Sequence, residues 1–209
     1  MRDYQAWHDD YDRPGSTLHL RLLVVQDLIA GVLDEAPPGP VRFVSMCAGQ
    51  GRDVLTVARR HRRGGDLVGR LVELDPANVA AARATIAGAG LDGIEVVEAD
   101  AGSSGAYVGA APADLVLACG IFGNVSDEDI RATVGFLPAL CAAGATVLWT
   151  RGQREDGIVA TVQDWFTATG FEPWALVTPP QVPFGVGAAR FTGTPAALRP
   201  GVHFFTFVR

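Results

Sequence analysis

The chain has 209 residues, which is enough for one domain with a large apolar core and too few for two comfortable ones. Its residues are 48% hydrophobic and 19% charged, a balance that excludes a disordered chain. The net charge of −6 argues against sequence-independent binding of nucleic acid, because an acidic surface repels phosphates.

Helix and strand patterns alternate along most of the chain. Ser16 is a favourable N-cap for the first helix, and the prolines in residues 37–40 end it. Short apolar runs predict strands at residues 41–46, 67–74, 94–98, 114–119 and 146–150. Helices are predicted between them at residues 53–61 and 76–88, from a capping box at Ser126 and Asp129, and at residues 156–169. Two last apolar stretches, residues 174–177 and 203–208, predict an antiparallel hairpin.

This order of elements predicts an α/β fold. The expected architecture is a Rossmann-like three-layer α/β/α sandwich with a mostly parallel seven-stranded sheet and an antiparallel C-terminal hairpin. We expect a single domain over residues 1–209. Within it, residues 1–36 form an N-terminal helical lid or cap, residues 40–150 the ligand-binding core, and residues 151–209 the substrate-side part.

The cysteines, histidines and basic residues limit the possible chemistry. Three cysteines in apolar stretches without CxxC spacing indicate reduced thiols and a cytoplasmic protein. The four histidines are scattered, so no metal site is predicted. All 17 basic residues are arginine, which excludes a lysine Schiff base. Glycine and proline interrupt the uncharged residues 132–150, and the N-terminus is polar and acidic, so neither a membrane span nor a secretory signal is predicted.

The loops after the first two strands carry residues suited to a nucleotide. In an open parallel sheet, ligands bind beyond the carboxyl ends of the strands. Gly49 and Gly51 allow a sharp turn after the first strand and a close approach of a ligand to the backbone. Asp75 follows the second strand, and its carboxylate can accept both hydroxyl hydrogens of a ribose diol. Alternatively, Asp75 only caps the helix that begins at Pro76.

The loops after the third and fourth strands complete this constellation. Asp100 and Ala101 follow the third strand, where a carboxylate or a backbone amide can bind an adenine ring. The small residues 119–120 follow the fourth strand and leave room for a substrate. Phe122 and Asn124 are candidate substrate contacts. Alternatively, Phe122 packs in the core and Asn124 occupies a turn.

Together these loops resemble those of the class I S-adenosylmethionine-dependent methyltransferase superfamily over residues 40–150. VRFVSMCAGQGRD resembles its glycine motif, LVELDPANVAAAR its ribose motif, IEVVEADAG its adenine motif, and ADLVLACGIFGNV the start of its substrate loop. The resemblance implies an enzyme with S-adenosyl-L-methionine as its cofactor. Its reaction is an in-line displacement at the sulfonium methyl, and the expected acceptor is an unidentified small molecule, because no basic surface or added recognition domain is present.

The resemblance also assigns roles to individual positions. The implied cofactor-binding residues are Cys47, Ala48, Gly49, Gly51, Asp53, Asp75, Pro76, Asp100, Ala101, Cys119 and Gly120. Residues 47–49 and Gly51 wrap the methionine part of the cofactor. Asp75 holds the ribose, Asp100 and Ala101 hold the adenine, and Cys119 lies beside the sulfonium. Two positions depart from the pattern: Ser45 stands where the superfamily usually has an acid, and Cys47 where it has a glycine. Asp53 or an N-terminal residue is the candidate replacement for that acid.

Further candidates lie outside these motifs. His8 and Tyr11 belong to an N-terminal segment that, by the resemblance, folds over the cofactor, which makes them weak candidates for a general base. The alternative is an amphipathic helix that packs on the domain. Arg151 follows the fifth strand and either contacts an acidic substrate or is a surface residue. The loop at residues 179–190 either borders the acceptor pocket or only connects two strands.

Two other functions share part of this pattern. An NAD(P)-dependent oxidoreductase normally has GxGxxG after its first strand, but here Val54 occupies the position of the third glycine. A non-catalytic binding module with the same fold would carry the same motifs, because methyl transfer depends mainly on positioning the donor and the acceptor. A measurement of methyl transfer distinguishes an enzyme from such a module.

Overall fold

The structure of the protein is a computed structural model that describes residues 10–152, 157–179 and 182–208. Within these ranges the strands are β1 (Val41–Met46), β2 (Leu67–Glu73), β3 (Ile94–Glu98), β4 (Ala113–Ala118), β5 (Cys141–Gly152), β6 (Phe171–Val177) and β7 (Phe184–Phe191). The α-helices are α1 (Thr17–Glu35), α2 (Arg52–Arg60), α3 (Pro76–Ala89), α4 (Asp127–Phe136) and α5 (Ile158–Ala168). None of the helices in the described ranges is long and apolar enough to cross a membrane.

The strands form one sheet in the order β3-β2-β1-β4-β5-β7-β6. Strands β1 to β5 run parallel, whereas β7 is antiparallel to both β5 and β6. Buried side chains of α1, α2 and α3 cover one face of the sheet, and those of α4 and α5 cover the other. The structure confirms the predicted Rossmann-like α/β/α sandwich with a mostly parallel seven-stranded sheet and antiparallel C-terminal strands.

The first half of the chain follows its local signals closely. Ser16 caps α1, because its Oγ accepts a hydrogen bond from the backbone N–H of His19 at 3.0 Å. The bounds of β1 and β3 are those predicted, and α3 begins at Pro76 as expected. Each parallel strand is adjacent in sequence to the helix that covers it, so each unit carries its own boundary signals.

The strand predicted at residues 174–177 lies within β6, and its antiparallel pairing is confirmed, but its partner is β7 and not the predicted residues 203–208. Strand β6 begins at Phe171, and β7 lies mostly within residues 179–190, which were predicted to be a loop. Gly185 and Gly187 suggested that loop, but both are buried in β7. A Cβ atom at Gly187 would lie 2.1 Å from the ring of Trp149, so glycine provides space there instead of a turn. Helix α5 begins one residue after Gly157; its predicted start at residue 156 lies outside the described residues.

The remaining apolar stretch is an extended segment that returns to the carboxyl ends of the parallel strands. We call residues 202–208 the C-terminal segment. His203 forms an isolated antiparallel bridge with Ser103, and Val208 donates its backbone N–H to the carbonyl of Asn124 at 2.9 Å. The predicted capping box of α4 is only half formed. Ser126 accepts from the N–H of Asp129 at 3.1 Å, but the Asp129 carboxylate accepts from the C-terminal segment.

Candidate functional site

A cavity of about 400 Å³ opens at the carboxyl ends of the parallel strands. Seven of the cofactor-binding residues inferred from the sequence line it: Cys47, Asp53, Asp75, Asp100, Ala101, Cys119 and Gly120. Four others, Ala48, Gly49, Gly51 and Pro76, belong to the same loops without lining the cavity. Helix α1 and the C-terminal segment complete the wall, so the site combines residues from both ends of the described chain.

A run of left-handed residues makes the turn between β1 and α2. The φ angles of Cys47, Gly49 and Gly51 are 50°, 56° and 68°. The turn is fixed to the neighbouring strand, because Ala48 donates its N–H to the carbonyl of Val72 at 2.9 Å. Glycine adopts these angles without steric cost, whereas cysteine does so only against a penalty. This explains why the position of Cys47 is one where glycine is expected.

Glu73, which sequence reasoning did not single out, is the buried acid of the site. It ends β2 with 9% of its surface exposed, and it lines the cavity. Its Oε2 accepts the N–H of Gly49 at 2.7 Å, and its Oε1 accepts the N–H of Asp75 at 2.8 Å. One carboxylate therefore joins the glycine turn to the loop after β2. The available signal was its place as the last residue of an otherwise mostly apolar strand.

Asp75 has the capping role that was the alternative to ribose binding. Its Oδ1 accepts the N–H of Ala77 at 2.8 Å at the start of α3, and the residue is exposed. Asp75 also lines the cavity, so a ligand can still reach its carboxylate. Asn78, one turn further along α3, is buried and lines the same cavity.

Asp53, Arg21 and Tyr11 form a polar group on the α1 side of the cavity. Burial raises the pKa of Asp53, an effect opposed by the N–H of Val54 that it accepts at 2.8 Å and by the charge of Arg21. Arg21 donates from Nη2 to the hydroxyl of Tyr11 at 2.9 Å. Burial also raises the pKa of Tyr11, so its phenol stays protonated at neutral pH and is not suited to act as a base. The other candidate base, His8, lies outside the described residues.

The loop after β3 holds Asp100 in place from two sides. Its Oδ1 accepts the N–H of Gly102 at 2.8 Å, and its Oδ2 lies 3.1 Å from Nε2 of His203 in the C-terminal segment. About half of the Asp100 side chain is exposed, whereas Ala101 is buried. The carboxylate is therefore both fixed in position and accessible from the cavity.

The loop after β4 is held by the end of β5. The N–H of Gly120 donates to Oγ1 of Thr150 at 2.7 Å, and Nδ2 of Asn124 donates to the carbonyl of Gly120 at 2.8 Å. Asn124 lines the cavity and at the same time closes this loop, and its role as a substrate contact stays a prediction. Burial raises the pKa of the Cys119 thiol far above its ordinary value, so it carries no thiolate.

Phe122 and Arg151 lie behind the cavity instead of lining it. Phe122 is fully buried, with its ring centroid 6.1 Å from that of Trp149, which favours the core-packing alternative. Arg151 has 5% of its surface exposed, so the expectation of a surface residue was wrong. Strand β5 extends through Gly152, where the neighbouring β7 covers it, and Arg151 donates from Nη1 to the carbonyl of Phe122. It holds the backbone of the loop after β4.

The cavity wall is predominantly acidic. Asp53, Glu73, Asp75 and Asp100 line it, and Arg21 is the one basic residue among its described lining. Such a wall favours a ligand with positive charge and disfavours a polyanion. Over the described part of the chain, no group of three or more histidine, cysteine or acidic residues is arranged to hold a metal ion.

The sheet order and the glycine turn after β1 are those of a Rossmann-like fold that solved methyltransferase structures share. Solved structures confirm that fold. An O-methyltransferase family protein from Burkholderia thailandensis is 18% identical with a TM-score of 0.67, over 84% of this chain and 56% of its own. This chain thus spans little more than half the length of that protein.

Two further structures match the chain over more of their own length. The magnesium protoporphyrin IX methyltransferase from Synechocystis PCC 6803, with bound S-adenosylhomocysteine, is 11% identical with a TM-score of 0.70, over 90% of this chain and 93% of its own. A TehB-like S-adenosylmethionine-dependent methyltransferase from Corynebacterium glutamicum is 14% identical with a TM-score of 0.58, over 80% and 86%. No family model and no curated protein sequence matches the chain. Identities this low establish the fold alone.

Proposed function

We propose that the chain binds S-adenosylmethionine in the cavity and transfers its methyl group to a small-molecule acceptor. When bound, this cofactor supplies an activated methyl group at its sulfonium. The observation that carries the proposal is the placement of four carboxylates and one arginine around a cavity at the strand ends. The cofactor has an ammonium, a sulfonium and a carboxylate, so its net positive charge matches a predominantly acidic wall.

Glu73 is the residue best placed to bind the ribose. A carboxylate has about four lone-pair positions, and backbone N–H groups occupy only one on each oxygen of Glu73. The remaining positions can accept the two hydroxyl hydrogens of a ribose diol. These N–H groups also hold the carboxylate rigidly, so little side-chain entropy is lost on binding. Asp75, the residue predicted for this role from the sequence, is exposed and already caps α3.

Asp53 and Arg21 suit the charged ends of the methionine part. The pKa of Asp53 is raised by burial, so an ammonium group beside it restores the stability of the ionised carboxylate. The guanidinium of Arg21 can bind a carboxylate in turn. Asp53 thus takes the place of the acid that is missing at Ser45. Ser45 itself is buried within β1 and does not line the cavity.

A dinucleotide fits this site poorly. The doubly charged pyrophosphate of NAD would lie near several carboxylates, and only Arg21 among the described lining residues would oppose their repulsion. Val54, at the position of the third glycine of the dinucleotide motif, is fully buried in α2. The acidic wall therefore favours the methyl donor over the hydride carrier.

The cavity favours a small acceptor. Its volume of about 400 Å³ lies in the range of small-molecule sites and must hold the cofactor as well. Catalysis then consists mainly of holding the donor and the acceptor in line, with Asn124 and Gly120 near the reacting end. Transfer of a labelled methyl group from S-adenosylmethionine distinguishes this enzyme from a module that only binds the cofactor.

The test is calorimetric titration of S-adenosylhomocysteine into the wild type and into Glu73→Gln and Asp75→Asn, with NAD as the control ligand. We expect micromolar binding of S-adenosylhomocysteine by the wild type and none of NAD. Glu73→Gln should weaken the binding of S-adenosylhomocysteine by about tenfold or more, because hydrogen bonds to a charged group are lost. Asp75→Asn should bind nearly as well as the wild type, since asparagine is also a good N-cap.

The two variants are matched, because each replaces a carboxylate with its amide. Loss of binding in Asp75→Asn alone would indicate that Asp75 binds the ribose, as the sequence motif predicts. No binding of S-adenosylhomocysteine by the wild type, or a preference for NAD, would contradict the proposed function itself.

A further inference from the structure

The C-terminal segment lies far along the chain from the strand-end loops but is hydrogen-bonded to two of them. Ser104 donates its N–H to the carbonyl of Val202 and accepts the Val202 N–H on Oγ, both at 2.9 Å. Phe204 donates its N–H to the carbonyl of Gly102 at 3.0 Å. At the other end, Val208 bonds to the carbonyl of Asn124. The segment therefore bridges the loops after β3 and β4, which both line the cavity.

Aromatic packing holds this segment against the domain. Phe204 and Phe205 are buried, with 5% and 2% of their surfaces exposed. The ring of Phe204 stacks on that of Phe136 in α4 with centroids 4.3 Å apart. There is no room between the segment and the loop after β3, because a Cβ atom at Gly102 would lie 2.4 Å from the carbonyl oxygen of Phe205. The path of the backbone up to residue 205 is thus tightly defined.

Phe207 differs from its two aromatic neighbours because it lines the cavity. Its ring meets that of Phe205 edge-on with centroids 5.7 Å apart, yet 42% of its surface is exposed. Leu74, which also lines the cavity, is 65% exposed. Large apolar side chains with this much exposure on a cavity wall offer surface that a flat apolar ligand group can cover.

The same segment also contacts Asp100, a polar residue of the cavity wall. Oδ2 of Asp100 lies 3.1 Å from Nε2 of His203, while Oδ1 is occupied by the Gly102 N–H. The cavity wall thus includes a fixed carboxylate acceptor and an aromatic ring, one contacted by the C-terminal segment and the other part of it. A hydrogen-bonding edge beside an aromatic face is the arrangement that recognises a purine base, through its amino group and its π-surface.

We propose that Phe207 stacks on the adenine of the cofactor and that the C-terminal segment is part of the cofactor-binding site. This inference rests on the proposed function. Phe207 supplies an apolar face for the ring, and Asp100, held by His203, accepts from the exocyclic amino group. The four strand-end loops do not complete the site by themselves, since they contribute no aromatic side chain to the described wall of the cavity.

The experiment compares two ligands by calorimetry: S-adenosylhomocysteine, and 5′-methylthioadenosine, which lacks the amino-acid part. Phe207→Ala should weaken both ligands by a similar factor, roughly 5- to 100-fold, because base–aromatic stacking is lost in each. Phe207→Tyr should restore most of the affinity, since the ring remains. Asp53→Asn should weaken S-adenosylhomocysteine and leave 5′-methylthioadenosine unchanged.

Val208→Ala is the matched control, because it truncates the next side chain, which does not line the cavity, and keeps the backbone bond to Asn124. It should bind both ligands like the wild type, and thermal unfolding of all variants verifies that they are folded. Unchanged affinity in Phe207→Ala overturns the inference while leaving the proposed function intact. A loss confined to S-adenosylhomocysteine also overturns it, because Phe207 would then act on the amino-acid part. No binding by the wild type overturns both.

A second variant tests the segment without altering Phe207. Gly102→Ala places a methyl group against the Phe205 carbonyl and should displace the segment, so the affinity for both ligands should fall by about tenfold or more. Gly105→Ala is its control, since the nearest atom to an added Cβ there is 3.7 Å away. Equal affinity in the two variants would show that the segment does not shape the site.

Discussion

Two glycine-containing stretches of this chain look alike in sequence and differ in structure. The turn at residues 47–51 and the start of β7 both carry two glycines separated by one residue. In the turn, Gly49 and Gly51 have φ angles of 56° and 68°, which the chain needs to pass from β1 into α2. In β7, Gly187 is extended and buried, and the ring of Trp149 fills the space where its side chain would be.

The difference shows that a position can require glycine for two structural reasons, which one sequence alone does not distinguish. A glycine at positive φ is required by the local backbone conformation, and the strand and helix patterns on either side indicate the turn in which it lies. A glycine that makes room for a distant ring satisfies a tertiary demand, since Trp149 lies on the neighbouring strand. The prediction of a loop at residues 179–190 assumed that its glycines form a turn, whereas Gly187 provides space for a ring.

The largest effect should come from filling the space beside Trp149. Gly187→Ala should lower the free energy of unfolding by about 3 kcal/mol, because the ring of Trp149 is rigid and buried. Gly185→Ala, on the same strand, has its nearest contact at 3.5 Å and should be neutral or slightly stabilising. Urea unfolding measures both. Equal losses in the two variants would mean that strand conformation, and not the ring, requires glycine.

The turn should show an intermediate effect. Gly51→Ala should cost about 2 kcal/mol, because alanine is strained at a φ of 68° and its Cβ would lie 2.7 Å from Leu71. Gly90→Ala measures the cost of backbone strain without a clash, since this residue has a φ of 64° and no atom within 4 Å of an added Cβ. We expect it to cost about 1 kcal/mol in the same unfolding assay. A larger loss at Gly90 than at Gly51 would contradict this division.

The smallest effect should come from Cys47→Gly, which alters the one described non-glycine residue with positive φ. Cys47→Gly removes strain but also a half-buried side chain, so stability should change by less than about 1 kcal/mol. Cys47→Val should cost more than about 2 kcal/mol, because a β-branched residue fits this region poorly. Thermal unfolding under reducing conditions compares them. If both variants lose the same stability, packing and not φ governs this position.

Much of the site was predictable because it repeats one local arrangement. Asp100, Cys119 and Gly120 all line the cavity, and each was identified from its place just after a parallel strand. Glu73 was missed because it lies inside the end of β2 and its bonds to Gly49 and Asp75 join two separate loops. Its place at the end of a mostly apolar strand singles Glu73 out, but the sequence does not show that its carboxylate turns inward to join these loops.

The C-terminal segment was misassigned for a related reason. The apolar residues 203–208 have the composition of a strand, and the prediction of a hairpin followed from it. Whether such a stretch joins a sheet depends on which edges are free. Here β7 lies between β5 and β6, and the segment packs against the loops after β3 and β4. That choice is made by the rest of the fold, not by the stretch itself.

By itself the sequence determined the alternation of strands and helices, the parallel core and the loops that line the cavity. These features depend on apolar periodicity, caps and turns, whose signals span a few residues. Only the tertiary structure decided the place of β7, the burial of Arg151, the role of Glu73 and the position of Phe207 at the cavity. Each of these depends on contacts between residues far apart in the chain, and such contacts leave no mark in the local pattern.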